Sequence, residues 1–173
     1  MWRKRQIASL TANDIVSKPK AYILVGLPGS GKTTWFTKQN FDLDKVAYVS
    51  SDIWVHMHSD IMRKTYSEVF ESYMPKAVNL MLAQVRDAKA QGKDIVWDQT
   101  STTIVSRKRK FNMLYPEYEM ICIYCMYPDK QEWERRLASR PGKMIPKHVL
   151  EKMVAEFEYP RLSEGFREIR LAL

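Results

Sequence analysis

The sequence has no apolar run long enough to cross a membrane, which takes roughly 18 consecutive residues. Its longest candidate, 21–27, has only the length of a strand. The basic start at 1–5 has no apolar segment behind it, so we expect no secretory signal. These absences favour an intracellular, cytoplasmic setting with no membrane partner.

Cysteine and histidine are also scarce, with two and three copies. Cys122 and Cys125 form a C-x-x-C pair, a spacing found in redox sites and in zinc sites. The pair lies in an apolar run of β-forming residues, where side chains three positions apart point to opposite faces of a strand. We therefore expect two buried thiols whose sulfur atoms diverge. His56 and His58 have no second group of ligands beside them, so no metal site is expected there.

The length and composition are those of one globular domain. The 173 residues are 45% hydrophobic and 12% aromatic, which is enough to form a core and excludes disorder throughout. We expect a basic arm at 1–19 followed by a single domain at 20–173.

Positive charge is in excess and clustered. Lys and Arg number 28 against 20 acids, a formal net charge of +8. Basic patches attract polyphosphates, which favours an anionic substrate, although each cluster alone also suits a solvated surface. The clusters comprise Arg3, Lys4, Arg5, Lys18 and Lys20; Arg107, Lys108, Arg109 and Lys110; and Arg135, Arg136, Arg140, Lys143 and Lys147.

Strand-like and helix-like segments alternate from residue 20 onward, which predicts an α/β fold with a parallel sheet covered on both faces. The predicted strands are 21–27, 45–50, 94–98, 120–127 and 168–173. The predicted helices are 32–39, 59–73, one opened by Pro75 and ended by Gly92, 105–114, 128–139, and one opened by Pro146.

A glycine-rich loop joins the first strand to the first helix. Residues 26–33 match G-x-x-x-x-G-K-[ST], in which backbone N–H groups surround phosphate oxygens. In this motif Lys32 reaches the β- and γ-phosphates and Thr33 binds Mg²⁺. The sequence therefore predicts binding of a nucleoside triphosphate with Mg²⁺. The candidate nucleotide-binding residues are Gly26, Pro28, Gly29, Ser30, Gly31, Lys32, Thr33 and Thr34.

The remaining motifs favour a phosphotransferase over other nucleotide-binding proteins. The chain has no N-K-x-D motif for guanine and no apolar strand ending in Asp-Glu, so a GTPase and a motor ATPase are disfavoured. Asp52 and Asp98 follow predicted strands, at the sheet edge where ligands bind in such folds. Either carboxylate can accept the proton of an attacking hydroxyl, and each has the alternative of a helix cap or a water-mediated Mg²⁺ partner. Arg136 and Arg140 share one helix face and suit a lid over the γ-phosphate, or else a solvated face paired with an acid.

These segments together resemble the P-loop polynucleotide 5′-kinases of phages and of animal DNA-repair enzymes. The resemblance covers about residues 21–173. The similar segments are L-V-G-L-P-G-S-G-K-T-T at 24–34, Y-V-S-S-D at 48–52, Q-G-K-D-I-V-W-D-Q-T at 91–100 with S-R-K-R at 106–109, the arginines of the lid, I-P at 145–146 and F-E-Y-P-R-L-S-E-G-F at 157–166.

The resemblance implies a five-stranded parallel sheet of order 2-3-1-4-5 with a helical lid at about 128–150. It implies ATP and Mg²⁺ as cofactors and transfer of the γ-phosphoryl group to a nucleic-acid 5′-hydroxyl. By it, Asp52 corresponds to the general base, and Asp98 and Thr100 to supporting groups. Lys32 and Thr33 correspond to the phosphate and metal ligands, and the arginines at 136 and 140 to those of the lid.

One departure bears on the acceptor. Phage members carry an arginine three residues after the base, which grips an acceptor phosphate, and this chain has Val55 there. We expect Trp54 and Val55 to make the site more apolar. Two alternatives stay open beside the polynucleotide kinase. One is a kinase of a small molecule or of a hydroxymethylated base in DNA, and the other is a nucleotide-binding regulator without transfer activity.

Overall fold

A computed structural model describes residues 17–172. The strands are β1 Lys20–Val25, β2 Val46–Val49, β3 Asp94–Trp97, β4 Glu119–Tyr124 and β5 Glu168–Leu171. The helices are α1 Lys32–Lys38, α2 Ser51–Met62, α3 Tyr66–Ala90, α4 Ile104–Leu114, α5 Lys130–Ala138 and α6 Lys147–Ala155, and a 3₁₀ turn spans Leu162–Glu164. None of the helices in this range is long and apolar enough to span a membrane. The predicted arm lies outside the described residues up to position 16.

All five strands form one parallel sheet in the order β2-β3-β1-β4-β5, which confirms the predicted fold class and strand order. β1 pairs with β4 along its whole length, from Lys20 opposite Glu119 to Val25 opposite Tyr124. β1 and β4 are buried on both faces, as their continuous apolar sequences require. The five predicted strands are therefore confirmed, with ends that differ by at most three residues.

Helices cover the two faces of the sheet and define two core clusters. On one face, Met81 and Val85 of α3 and Phe111 of α4 pack against alternate residues of the central strands. On the other face, Trp35 of α1 packs with Tyr22 and its neighbours. Consequently α3 and α4 lie on one side of the sheet and α1 lies on the other.

The two cysteines follow the strand alternation. Cys122 belongs to the cluster under α3 and α4, whereas Cys125 belongs to the cluster under α1, and both thiols are free and buried. Burial raises the pKa of Cys122 to about 12 and that of Cys125 to about 11. Thiols this hard to ionise are poor nucleophiles and poor metal ligands. The prediction of two separate buried thiols is confirmed by their burial in different clusters.

The helical hairpin after β2 differs from the prediction. α2 begins directly after the strand and ends at Arg63, whose φ is 53°, so the predicted helix 59–73 is wrong. α3 then starts with a capping box between Thr65 and Glu68 and continues through Pro75, which was expected to open a helix. The capping box satisfies the first N–H groups of α3, so the helix begins at Tyr66. Pro75 then lies in the third turn, where it removes one internal hydrogen bond.

Candidate active site

The phosphate loop lies between β1 and α1 in the conformation that its glycines permit. Gly29 and Gly31 have φ values of 79° and 96°, a region that residues with a Cβ rarely adopt. Gly26 has no room for a side chain, because a Cβ there would lie 2.5 Å from the carbonyl oxygen of Cys125. The loop is fixed to the end of the next strand by the hydrogen bond from the Gly26 N–H to the Thr100 carbonyl (3.0 Å).

Lys32 closes this loop from inside. It is only 9% exposed, and its Nζ donates to the carbonyl oxygens of Gly26 (2.9 Å) and Leu27 (2.8 Å). Burial lowers the pKa of Lys32 to about 8, against the opposing attraction of Asp98. A buried ammonium that binds only neutral carbonyls is ready to bind an anion, since a phosphate would supply the missing negative charge.

Asp98 and Thr33 form a second polar group at the end of β3. The Thr33 hydroxyl donates to Asp98 Oδ2 (2.8 Å), and the Tyr48 hydroxyl donates to the same oxygen. Burial and then the Asp98 charge raise the pKa of Tyr48, so this phenol stays protonated as a donor. Asp98 therefore bonds side chains of β2 and α1 and does not cap a helix.

Asp52 is the second residue of α2 and faces the same cavity. Its carboxylate accepts a hydrogen bond from the Tyr66 hydroxyl (2.7 Å) and forms an ion pair with Lys143. Burial raises the pKa of Asp52, but the Lys143 ammonium and these hydrogen bonds outweigh it and hold the pKa below its usual value. Asp52 is therefore an ionised carboxylate with two fixed partners, and the capping alternative is not what its side chain does.

The predicted lid lies over the phosphate loop. Trp133 of α5 donates from Nε1 to the Pro28 carbonyl (2.6 Å). Arg136 lies beside the loop, with Nη1 4.0 Å from a Cβ built at Gly31, while its Nε donates to Glu132 Oε1 (2.7 Å). Arg140, at the end of the helix, lines the cavity itself. Of the two predicted lid arginines, one faces the cavity and the other pairs with an acid at its rim.

A cavity of about 840 Å³ is lined by most of the predicted groups, although Gly26, Ser30, Gly31 and Arg136 are not among its lining residues. Its polar side includes Lys32, Thr33, Asp52, Asp98, Thr100, Arg140 and Lys143, together with the loop residues Pro28 and Gly29. Seven apolar lining residues, which we call the apolar side of the cavity, come from α2, α3, α6 and the turn before α6: Ile53, Phe70, Met74, Met144, Ile145, Val149 and Met153. The same elements also supply polar lining residues such as Ser67, Glu71 and His148. The cavity thus combines residues of the phosphate loop with apolar residues of these helices, and Asp52 is among its lining groups.

Two of the residues singled out in the sequence lie elsewhere. Thr34 is exposed on α1 and is not among the lining residues. Val55 is fully buried between α2 and α3, so position 55 does not face the acceptor side of the cavity. Neither Trp54 nor Val55 is among the lining residues, so the expectation that they make the site more apolar is wrong. Ile53 lines the cavity in their place.

The site also contains residues that the motifs did not single out individually. Four such residues each contact a predicted group: Tyr48, Tyr66, Trp133 and Lys143. The three aromatic residues gave no signal, because an aromatic residue in a strand or an amphipathic helix is usually a core residue. Lys143 carried a signal, because it follows Arg140-Pro141-Gly142, a turn rich in breakers that joins two lid helices.

The loop fits a nucleotide with a divalent cation. The Ser30 hydroxyl is buried, and within residues 17–172 it has no hydrogen-bond partner, although it lies in the loop whose N–H groups curl inward. The Thr33 hydroxyl and Asp98 carboxylate supply the oxygen donors that Mg²⁺ prefers. No cluster of three or more His, Cys, Asp or Glu side chains suited to a metal occurs in the described part of the chain.

The loop, the sheet order and the lid are those of the P-loop kinase-like fold. The chain matches the family model described as "AAA domain" over residues 22–160, and it belongs to that family.

The curated relatives share less than 30% identity with this chain and are much longer than it. Heterogeneous nuclear ribonucleoprotein U-like protein 2 of Mus musculus is 23% identical over 168 residues, which cover 89% of this chain and 22% of that protein. The signal recognition particle 54 kDa protein of Pyrococcus furiosus is 27% identical over 159 residues, covering 81% of this chain and 35% of the other. The chain therefore spans about a fifth to a third of the length of these relatives.

Solved structures share the fold at low sequence identity. A candidate kinase from Chloroflexus aurantiacus aligns with a TM-score of 0.67 at 19% identity, covering 90% of this chain and 88% of that one. A chain of the Pnkp1/Rnl/Hen1 RNA repair complex aligns with a TM-score of 0.62 at 22% identity, covering 83% and 45%. A gluconokinase from Sinorhizobium meliloti aligns with a TM-score of 0.51 at 14% identity, covering 88% and 81%.

Proposed function

We propose that the protein is an ATP-dependent phosphotransferase that phosphorylates the 5′-hydroxyl end of a nucleic acid. The observation that carries this proposal is the shared cavity of the phosphate loop and the Asp52 carboxylate. Transfer to a hydroxyl needs phosphate ligands at one end and a carboxylate near the attacking oxygen at the other.

The chain's own groups divide the work. Lys32 binds the phosphate oxygens, and the Thr33 hydroxyl holds the cation. Asp52 accepts the proton of the acceptor hydroxyl on a carboxylate oxygen, while Tyr66 orients that carboxylate. Arg140 meets the negative charge that develops on the transferred group. Bound Mg-ATP would supply the phosphoryl group to be transferred.

Charge and surface chemistry support a nucleic acid as the acceptor. The chain has a formal net charge of +8, which attracts a polyanion. Phe70, Met74 and Met153 on the apolar side of the cavity suit a nucleobase, which stacks well on aromatic and thioether groups. The similar chain in an RNA repair complex agrees with this acceptor class.

A small polar acceptor is the second candidate, favoured by the gluconokinase among the similar structures. A sugar acid has no aromatic face to place against the apolar side chains, and its recognition would leave that side of the cavity unused. A nucleotide-binding regulator would bind ATP without any transfer.

The test is γ-phosphate transfer from labelled ATP to a panel of acceptors. The panel contains 5′-hydroxyl DNA and RNA oligomers, thymidine, thymidine 3′-monophosphate, hydroxymethylated-base DNA and gluconate. We expect labelling of the oligomers at the 5′ end. Labelling of gluconate alone or of the modified base would replace the proposed acceptor, and ATP binding without labelling of any member would support the regulator.

Asp52→Asn, with Asp60→Asn as its control, tests the assigned base. Asp60 is an exposed acid on the same helix. The amide at position 52 cannot accept the proton, so transfer should fall by roughly 10²–10⁴-fold, while ATP affinity measured by calorimetry stays near wild type. Equal turnover in the two variants would remove Asp52 from the mechanism.

A further inference from the structure

Lys110 is a buried cation that has no counter-charge among the described residues. It is 5% exposed on α4, and no ion pair to it exists within residues 17–172. Its Nζ makes one long contact, 3.4 Å to the Ser106 carbonyl, and lies 5.4 Å from the centre of the Trp97 ring. An ammonium group can donate three hydrogen bonds, so most of its donor capacity is unused.

The surroundings of Lys110 make its charge costly. Burial, and then the neighbouring charges of Arg107 and Arg109, lower its pKa to about 8. Arg107 is itself neutralised by Glu164, so residues 17–172 provide a counter-ion for one buried cation of this helix but not for the other. A buried cation in this state gains strongly from an anionic ligand, which would restore its preference for the charged form.

Lys110 lines the same cavity as the candidate base. Gln99, Ser101 and Ser106 lie with it among the lining residues and are neutral hydrogen-bonding groups. α4 packs on the face of the sheet that carries α3, and α3 contacts the helix of Asp52, whereas α1 after the phosphate loop covers the opposite face. The unused cation therefore lies on the acceptor side of the cavity.

We propose that Lys110 binds a phosphate group of the acceptor, namely the phosphate that adjoins the nucleoside whose hydroxyl reacts. This inference rests on the proposed function and narrows its substrate class to acceptors that already carry a phosphate. An uncharged nucleoside lacks that group and is bound less tightly.

The test compares Lys110→Met with Lys108→Met, an exposed lysine on the same helix. Two probes are used, thymidine 3′-monophosphate and thymidine, which differ only in the phosphate. Calorimetry with a non-hydrolysable ATP analogue and Mg²⁺ gives their affinities, and transfer assays give kcat/KM. In the wild type the phosphorylated probe should bind more tightly. Lys110→Met should weaken it by about ten- to a hundredfold, the range for a charge-assisted hydrogen bond, and leave thymidine unchanged.

Folding of the variant is checked by urea denaturation, and Lys110→Arg provides a second variant that retains the charge. Methionine keeps the length of the lysine stem and removes a buried charge, so Lys110→Met should fold. Lys110→Arg should keep the preference for the phosphorylated probe.

The inference is overturned if Lys110→Met keeps the full preference, or if Lys108→Met loses it equally. Failure of the proposed function gives a different pattern, in which thymidine 3′-monophosphate binds in a Lys110-dependent way but is never phosphorylated. With a single-stranded oligomer, the slope of log affinity against log salt should fall by about 0.7 in Lys110→Met, the contribution of one phosphate contact.

Discussion

Replacing Lys143 by methionine should move the acid limb of the pH–rate profile to higher pH. The Lys143 side chain is 10% exposed and pairs with Asp52, whose side chain is 48% exposed. Two unit charges 4 Å apart attract by about 1 kcal/mol in water and about 4 kcal/mol near a protein surface. For one nearly buried and one half-exposed partner, solvent screening leaves an attraction of about 2 kcal/mol.

The direction of the shift follows from the charges. Lys143 lowers the pKa of Asp52, whereas burial raises it. Without the lysine, burial is opposed only by the Tyr66 hydrogen bond and the weaker influence of His56, so the pKa of Asp52 rises. As the proposed base, Asp52 is active when deprotonated, so activity that the wild type keeps in mildly acidic solution should be lost at a higher pH in the variant.

The assay is kcat/KM for an oligomer acceptor between about pH 4 and 9, because this ratio reports the free enzyme. Lys147→Met is the control, since that lysine lies nearby in the sequence but is exposed and pairs only with Glu151. An acid limb at the same pH in Lys143→Met and the wild type would refute the assignment of Asp52 as the titrating base, or its pairing with Lys143.

Two further changes test the lid and the buried ion pair. Arg140→Ala should lower the single-turnover rate by about 10²–10³-fold, the scale for removing a group that stabilises developing charge. The dissociation constant for ATP should change less, and a change in affinity alone would make Arg140 a ground-state ligand of the nucleotide. Arg107→Met should lower the free energy of unfolding in urea by about 3–5 kcal/mol, because it leaves the Glu164 carboxylate buried and unpaired. The double variant Arg107→Met/Glu164→Leu should recover much of that loss, and a single-variant loss below about 1 kcal/mol would contradict this account.

Local sequence signals were sufficient for the sheet and insufficient for the helical hairpin. The apolar runs around Ile23 and Ile123 can be buried only in the centre of a sheet, so strand positions followed from composition. The boundary between α2 and α3 depends on the positive φ of Arg63, and an arginine in the sequence gives no sign of that conformation. The T-x-x-E pattern at Thr65 was the available signal, and it outweighs Pro75 because the start of a helix needs its N–H groups satisfied.

The site was predictable where one segment contains it. The phosphate loop is continuous in the sequence, so its glycines and Lys32 could be read directly. The partners of Asp52 come from α3 and from the turn after α5, positions 66 and 143, and their meeting depends on the docking of the lid. Lys110 was visible only as one member of a basic cluster, and its burial beside Trp97 follows from the packing of α4 on the sheet.

The lid is tied to the rest of the domain on both sides of the cavity. Trp133 holds α5 to the phosphate loop, and Lys143 holds the following turn to Asp52, where the Gly142 carbonyl also accepts from the Ser67 N–H (3.0 Å). An acceptor hydroxyl that donates to Asp52 must take a position on the carboxylate that Lys143 now shares. The influence of Lys143 on the proposed base Asp52 is therefore greatest before the acceptor binds, so Lys143→Met should shift the acid limb of kcat/KM more than that of kcat, which reports the substrate complex. Equal shifts would mean that the lysine stays on the carboxylate throughout turnover.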